Sequence, residues 1–114
     1  MDSRFKYLTD IEQNAVDWLV KQLKQQLPDQ LLQMNFFGSK LRGDFQPDSD
    51  IDLLIVVKQR SEKILDQIAQ LLLEAELKFD PKISVIIFSE HEFQQNQAWE
   101  TPFIKNIQYE SVRL

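Results

Sequence analysis

The 114-residue sequence contains no cysteine, and that single absence excludes disulfides, zinc–thiolate sites and a cysteine nucleophile together. Glycine is nearly as scarce. Gly38 and Gly43 are the only two, too few for the Gly-x-Gly-x-x-Gly of a dinucleotide-binding turn, and no Walker A lysine motif is present, so the Rossmann and P-loop readings both fail. The lone histidine, His91, excludes a multi-histidine metal site and reads as an exposed residue at a helix start. Cations are in the minority, 13 Lys plus Arg against 18 Asp plus Glu for a net charge of −5. Binding to a phosphate backbone draws on clustered Lys and Arg, so direct contact with nucleic acid is not expected. An anionic nucleotide can still bind such a chain where a metal neutralises it. No apolar run approaches the length that spans a bilayer, and Met1-Asp2-Ser3-Arg4-Phe5 lacks the basic-then-apolar order of a signal peptide. The expectation is a cytoplasmic protein with no membrane partner.

What is present suits one domain over residues 1–114: 43% of the residues are hydrophobic and they cluster along the whole length. Thr9-Asp10-Ile11-Glu12 is a capping box, and Ile11, Ala15, Val16, Leu19, Val20 and Leu23 follow at helical spacing, which predicts a first helix ending near Pro28. The apolar run over residues 31–37 reads as a buried strand halted by Gly38. Residues 39–44 read as a loop or a single helical turn, and Gln46-Pro47-Asp48-Ser49 as a turn before a second strand over residues 51–57. Ser61 is the N-cap of a second long helix carrying Ile64, Leu65, Ile68, Leu71, Leu72 and Ala75. Residues 83–88 form a third strand, Ser89-Glu90-His91-Glu92 starts another helix, and residues 102–109 a last short one. The order implies an α/β domain, a small mixed sheet with flanking helices. The connection between the first two strands permits either antiparallel or crossover pairing. Trp18 and Trp99 read as core or partner-contact residues, and the apolar tail of Phe103, Ile104, Ile107 and Val112 as docking surface or core cover.

Chemistry concentrates between the first two strands. Asp50 and Asp52 stand two residues apart where the second strand begins, and a period of two sends both carboxylates to one face. Such a pair repels itself and needs a cation. Mg²⁺ suits it, because that ion prefers hard oxygen ligands and completes its shell with water and substrate phosphates. Gly38-Ser39 leaves the first strand at an abrupt turn that presents backbone N–H groups and a hydroxyl to an anion, with Lys40 and Arg42 beside this phosphate seat.

Gly38-Ser39, ten intervening residues and Asp50-Ile51-Asp52 together resemble the signature of the DNA polymerase β-like nucleotidyltransferases. The short chain, with Phe36-Phe37-Gly38-Ser39-Lys40-Leu41-Arg42-Gly43 and Ser49-Asp50-Ile51-Asp52-Leu53, is similar to the minimal nucleotidyltransferases (MNT) that act as antitoxins beside HEPN-domain toxins. The resemblance implies a polymerase β-like core and Mg²⁺-dependent transfer of AMP from ATP to a hydroxyl, typically a tyrosine, of a cognate HEPN RNase toxin in a hetero-oligomer. It implies that Ser39 and nearby amides hold the β- and γ-phosphates while Asp50 and Asp52 are the catalytic, metal-holding acids. The family's third carboxylate falls at Ser84, and Asp80 is the nearest acid able to act as a third metal ligand. Two alternatives stand beside catalysis: a binding antitoxin that neutralises its partner by occlusion, and a subunit of a small-molecule nucleotidyltransferase.

Overall fold

The computed structural model describes residues 3–46 and 48–114. Met1, Asp2 and Pro47, the last assigned above to the turn before the second strand, lie outside the described residues. After a single 3-10 turn at Ser3–Phe5 come α1 (Asp10–Gln26), β1 (Leu31–Phe37), α2 (Ser39–Arg42), β2 (Ile51–Val57), α3 (Glu62–Phe79), β3 (Ile83–Ser89), α4 (Glu90–Ala98), α5 (Pro102–Tyr109) and β4 (Val112–Arg113). The caps form as the sequence predicts. Thr9 and Glu12 make a reciprocal capping box, Ser89 and Glu92 make a second one, and Ser61 accepts from Ile64 N–H; Thr101, a further cap, accepts from Ile104 N–H.

The sheet has the order β3-β2-β1-β4. β1 pairs antiparallel with β2, which settles the connection left open above, and β2 runs parallel to β3 through the α3 crossover. Alternation along β2 divides the core. Ile51, Leu53, Ile55 and Val57 face α1 and α3 and join Met34, Phe36, Leu19, Leu23, Ile64, Ile68 and Leu71 in the larger cluster. Leu54 and Val56 face the other way, toward Ile107 of α5, with Phe37, Phe88 and Phe103 packed around them. Asp52 shares that second face with them by its parity in the strand.

β4 is an element the sequence did not suggest, because a two-residue strand carries no periodicity to detect. It pairs antiparallel with β1, Val112 opposite Phe36, and returns the chain to the end of the sheet where β1 stops. The tail is thereby core rather than docking surface: Ile104, Ile107 and Val112 are buried, and Phe103 packs edge-on to Phe37 and Phe88. Asn35 secures this return, donating to Ser111 Oγ at 2.9 Å, while Ser111 donates to the Ile107 carbonyl at 2.6 Å. Trp18 packs against Phe79, and Trp99 is exposed at the end of α4.

One buried ion pair ties α2 to α1. Glu12 accepts the Thr9 N–H with one carboxylate oxygen and the Lys40 ammonium with the other, and both side chains are buried. Burial by itself pushes the Glu12 carboxyl up, but the bonds from Lys40 and Thr9 outweigh it and hold the group below its ordinary value of 4.5. A carboxylate depressed in this way adds stability that is present above its unfolded pKa and lost as pH falls through its folded one. Lys40→Met, which strands the Glu12 charge, should therefore destabilise the fold by about 3–5 kcal/mol at neutral pH. Urea denaturation should show the gap from wild type closing as pH falls, first above 4.5 as the stranded carboxyl of the variant takes up a proton, and then below it as the wild-type pair does.

Candidate active site

The site is built where β1 ends. Gly38 has φ 90°, a left-handed conformation that admits glycine readily, and it turns the chain from β1 into α2, which begins at Ser39. Gly43, with φ 96°, closes the same short helix, its N–H donating to the Ser39 carbonyl at 2.7 Å. Each glycine leaves room for a neighbouring group. A Cβ on Gly38 would collide with Asp52 Oδ2 and lie 3.1 Å from Asp52 Cγ, while one on Gly43 would meet the Tyr7 ring.

The register explains the first of these contacts. Asp52 is opposite Phe37 in β1 and opposite Ser84 in β3, so its carboxylate lies beside the Gly38 turn on one side and an exposed serine on the other. Ser84 thus occupies the position where the resemblance calls for a third acid. Asp50, half-buried, stands just ahead of β2 and lies within electrostatic reach of Asp52. Burial, and then the Asp50 charge, raise the Asp52 carboxyl above its ordinary value of 3.8, against the lowering influence of Arg42.

Arg42 is the cation that acts on Asp52. Its Nε lies 3.3 Å from Asp44 and 4.0 Å from Glu110 at the end of α5, so the C-terminal segment borders the site. No spacing in the sequence signals Glu110, because only the β1–β4 pairing brings it there. Two of the expected site residues have settings of their own. The Lys40 ammonium is buried in the pair with Glu12. Asp80 lines a cavity of about 570 Å³ that also reaches Asp50, but among the described residues no three His, Cys, Asp or Glu side chains come together as a metal cluster. Asp80 instead ends α3, in a left-handed conformation at φ 82°.

The donor set fits Mg²⁺. Two neighbouring carboxylates, one already resisting ionisation, offer hard oxygens and unbalanced negative charge, and this ion accepts one or two carboxylates with water and phosphate supplying the rest.

Comparison with known proteins identifies a family and a fold. The nucleotidyltransferase domain family matches residues 16–114. Two proteins of Methanocaldococcus jannaschii, each named "Putative protein adenylyltransferase", are similar in sequence. One is 32% identical over 96 residues, covering 84% of this chain and 90% of its own length. The other is 36% identical over 75 residues, covering 61% and 76%. Among solved structures, a toxin–antitoxin MntA-HpeT mutant matches with TM-score 0.52 and 17% identity, over 87% of this chain and 70% of that one. A toxin–antitoxin with AMP-PNP matches with TM-score 0.53 and 17% identity, over 92% and 72%. At that identity the two structures establish the shared mixed α/β fold.

Removing a carboxylate that burial and a like charge oppose should help the metal-free fold. Asp52→Asn is expected to raise the melting temperature without divalent ions above pH 4, by about 2 °C. Gly38→Ala, strained in φ and crowded by Asp52, should lower stability by about 1–2 kcal/mol. Thermal and urea denaturation in chelator check both.

Proposed function

Because the chain belongs to the nucleotidyltransferase domain family, we propose that it transfers AMP from ATP to a tyrosine hydroxyl of a cognate HEPN-domain RNase toxin, with Mg²⁺, and so acts as an antitoxin. The observation that carries the reading is the meeting of Asp52, Asp50 and the Gly38-Ser39 turn at one end of the sheet. The names of the two archaeal relatives support adenylyl transfer to protein. The shared fold of the toxin–antitoxin structures, one of them with AMP-PNP, supports the pairing with a toxin in a hetero-oligomer. ATP as donor is consistent with a reaction in the cytoplasm.

In this reading Ser39 and the adjoining amides hold the β- and γ-phosphates, and Arg42, screened by Asp44 and Glu110, balances negative charge at the rim. Asp50 and Asp52 hold Mg²⁺, which neutralises phosphate charge when bound. The chain's own contribution is placement: β2 is buried and paired on both sides, which holds its first residues in position while the acceptor approaches the α-phosphorus. Backbone and hydroxyl donors fixed before the reaction need no reorganisation as charge moves to the departing pyrophosphate.

Ser84 beside Asp52 favours a second reading, in which the chain silences its partner by occlusion alone. The two readings separate in one experiment. Labelled ATP, Mg²⁺, this protein and the product of the adjacent gene are combined, and the same variants are tested for rescue of growth. Catalysis predicts a labelled partner, loss of label and rescue in Asp52→Asn, and about tenfold less label in Ser39→Ala, which removes one hydrogen bond to a charged group. Full rescue by the Asp50→Asn, Asp52→Asn double variant would instead establish occlusion.

A further inference from the structure

On the reading that this site moves adenylyl groups onto phenols, the chain's own tyrosines are candidate acceptors. It has two tyrosines, Tyr7 and Tyr109. Tyr7 is held in place. Its ring stands where a Cβ on Gly43 would be, edge-on to Phe45 with centroids 6.3 Å apart, and Lys6 Nζ lies 5.1 Å from its centroid. Tyr109, the last residue of α5, is 87% exposed, and among the described residues its hydroxyl has no hydrogen-bond partner.

Its position follows from the pairing of β4 with β1. Val112 lies opposite Phe36, so the residues leading into β4 run alongside Phe37 and Gly38, on the side of β1 away from Asp52. Neighbouring strands are about 4.8 Å apart, which puts the end of α5 about 10 Å from the Asp52 column. That span is within the combined length of a tyrosine side chain and a nucleoside triphosphate. The Glu110 carboxylate, next along the chain, is 4.0 Å from Arg42 Nε, which confirms that this end of α5 borders the site. Ser111, bonded to Asn35 and Ile107, fixes the backbone there and leaves the Tyr109 side chain as the free element.

We propose that Tyr109 accepts a nucleotidyl group from the active site of its own chain. Its Oη attacks the α-phosphorus of bound ATP and forms an Oη–P bond. The bond from that phosphorus to the oxygen bridging to the β-phosphate breaks, pyrophosphate leaves, and the phenolic proton passes to solvent water. The product carries an adenylyl group at the rim of the site.

The test uses the purified protein with ATP and Mg²⁺ alone, at several dilutions, with intact mass and peptide mapping as readouts. One adenylyl group per chain is expected, on Tyr109, formed at a rate that dilution leaves unchanged. It should be absent from Tyr109→Phe and Asp52→Asn and retained in Tyr7→Phe. ATP binding, followed on the same samples by thermal shift, separates this inference from the reading beneath it. A chain that binds ATP through Asp52 yet carries no adduct on Tyr109, or is labelled at a rate proportional to protein concentration, overturns the inference alone. A chain that binds no ATP overturns both.

Discussion

The site depends on a missing atom. Gly38 has no Cβ, and the Asp52 carboxylate lies in the space one would fill. Two conditions meet there: the antiparallel register that sets Phe37 opposite Asp52, and a left-handed φ that lets the chain leave β1 sharply enough to place Ser39 beside the acids. A one-residue slip in that register would turn Asp52 into the larger core and Leu53 out of it. The buried alternation of Ile51, Leu53, Ile55 and Val57 against α1 and α3 thus holds the chemistry in place as well as the fold.

Charge is divided accordingly. The buried carboxylate of Glu12 is matched by Lys40 and by the Thr9 N–H, so it stays ionised and joins two helices. Asp52 has no such match among the described residues: Arg42 acts on it, but that guanidinium is shared with Asp44 and Glu110. A structural pair satisfies itself, whereas a binding pair leaves its charge for a ligand to complete. Lys40 and Arg42, two residues apart, fall on opposite sides of that division.

Much of this was readable from residue order. Capping boxes announce α1 and α4, β-branched runs announce β2 and β3, and Asp50 and Asp52 stand out because a strand's period of two brings them together. The parallel β2–β3 register then confirms Ser84 as the neighbour of Asp52. Three features were not readable. Lys40 beside Ser39 looks like a phosphate ligand until tertiary packing supplies Glu12, 28 residues away. Asp80 looks like a spare acid, and only the structure sets it at the left-handed end of α3, lining a cavity shared with Asp50. β4, Glu110 and the setting of Tyr109 arise from a pairing of two residues, too short to leave any pattern.

On the proposed function, a divalent ion and a nucleotide meet at Asp50, Asp52 and the Gly38 turn. Manganese, which shares the oxygen preference of Mg²⁺, allows a direct test through paramagnetic broadening of amide NMR signals in the presence of AMP-PNP. Signals of Gly38, Ser39, Asp52 and Ser84 should broaden first and together, and Asp52→Asn should remove the effect. Broadening that begins instead at Asp48, Asp80 or scattered surface acids would contradict the account.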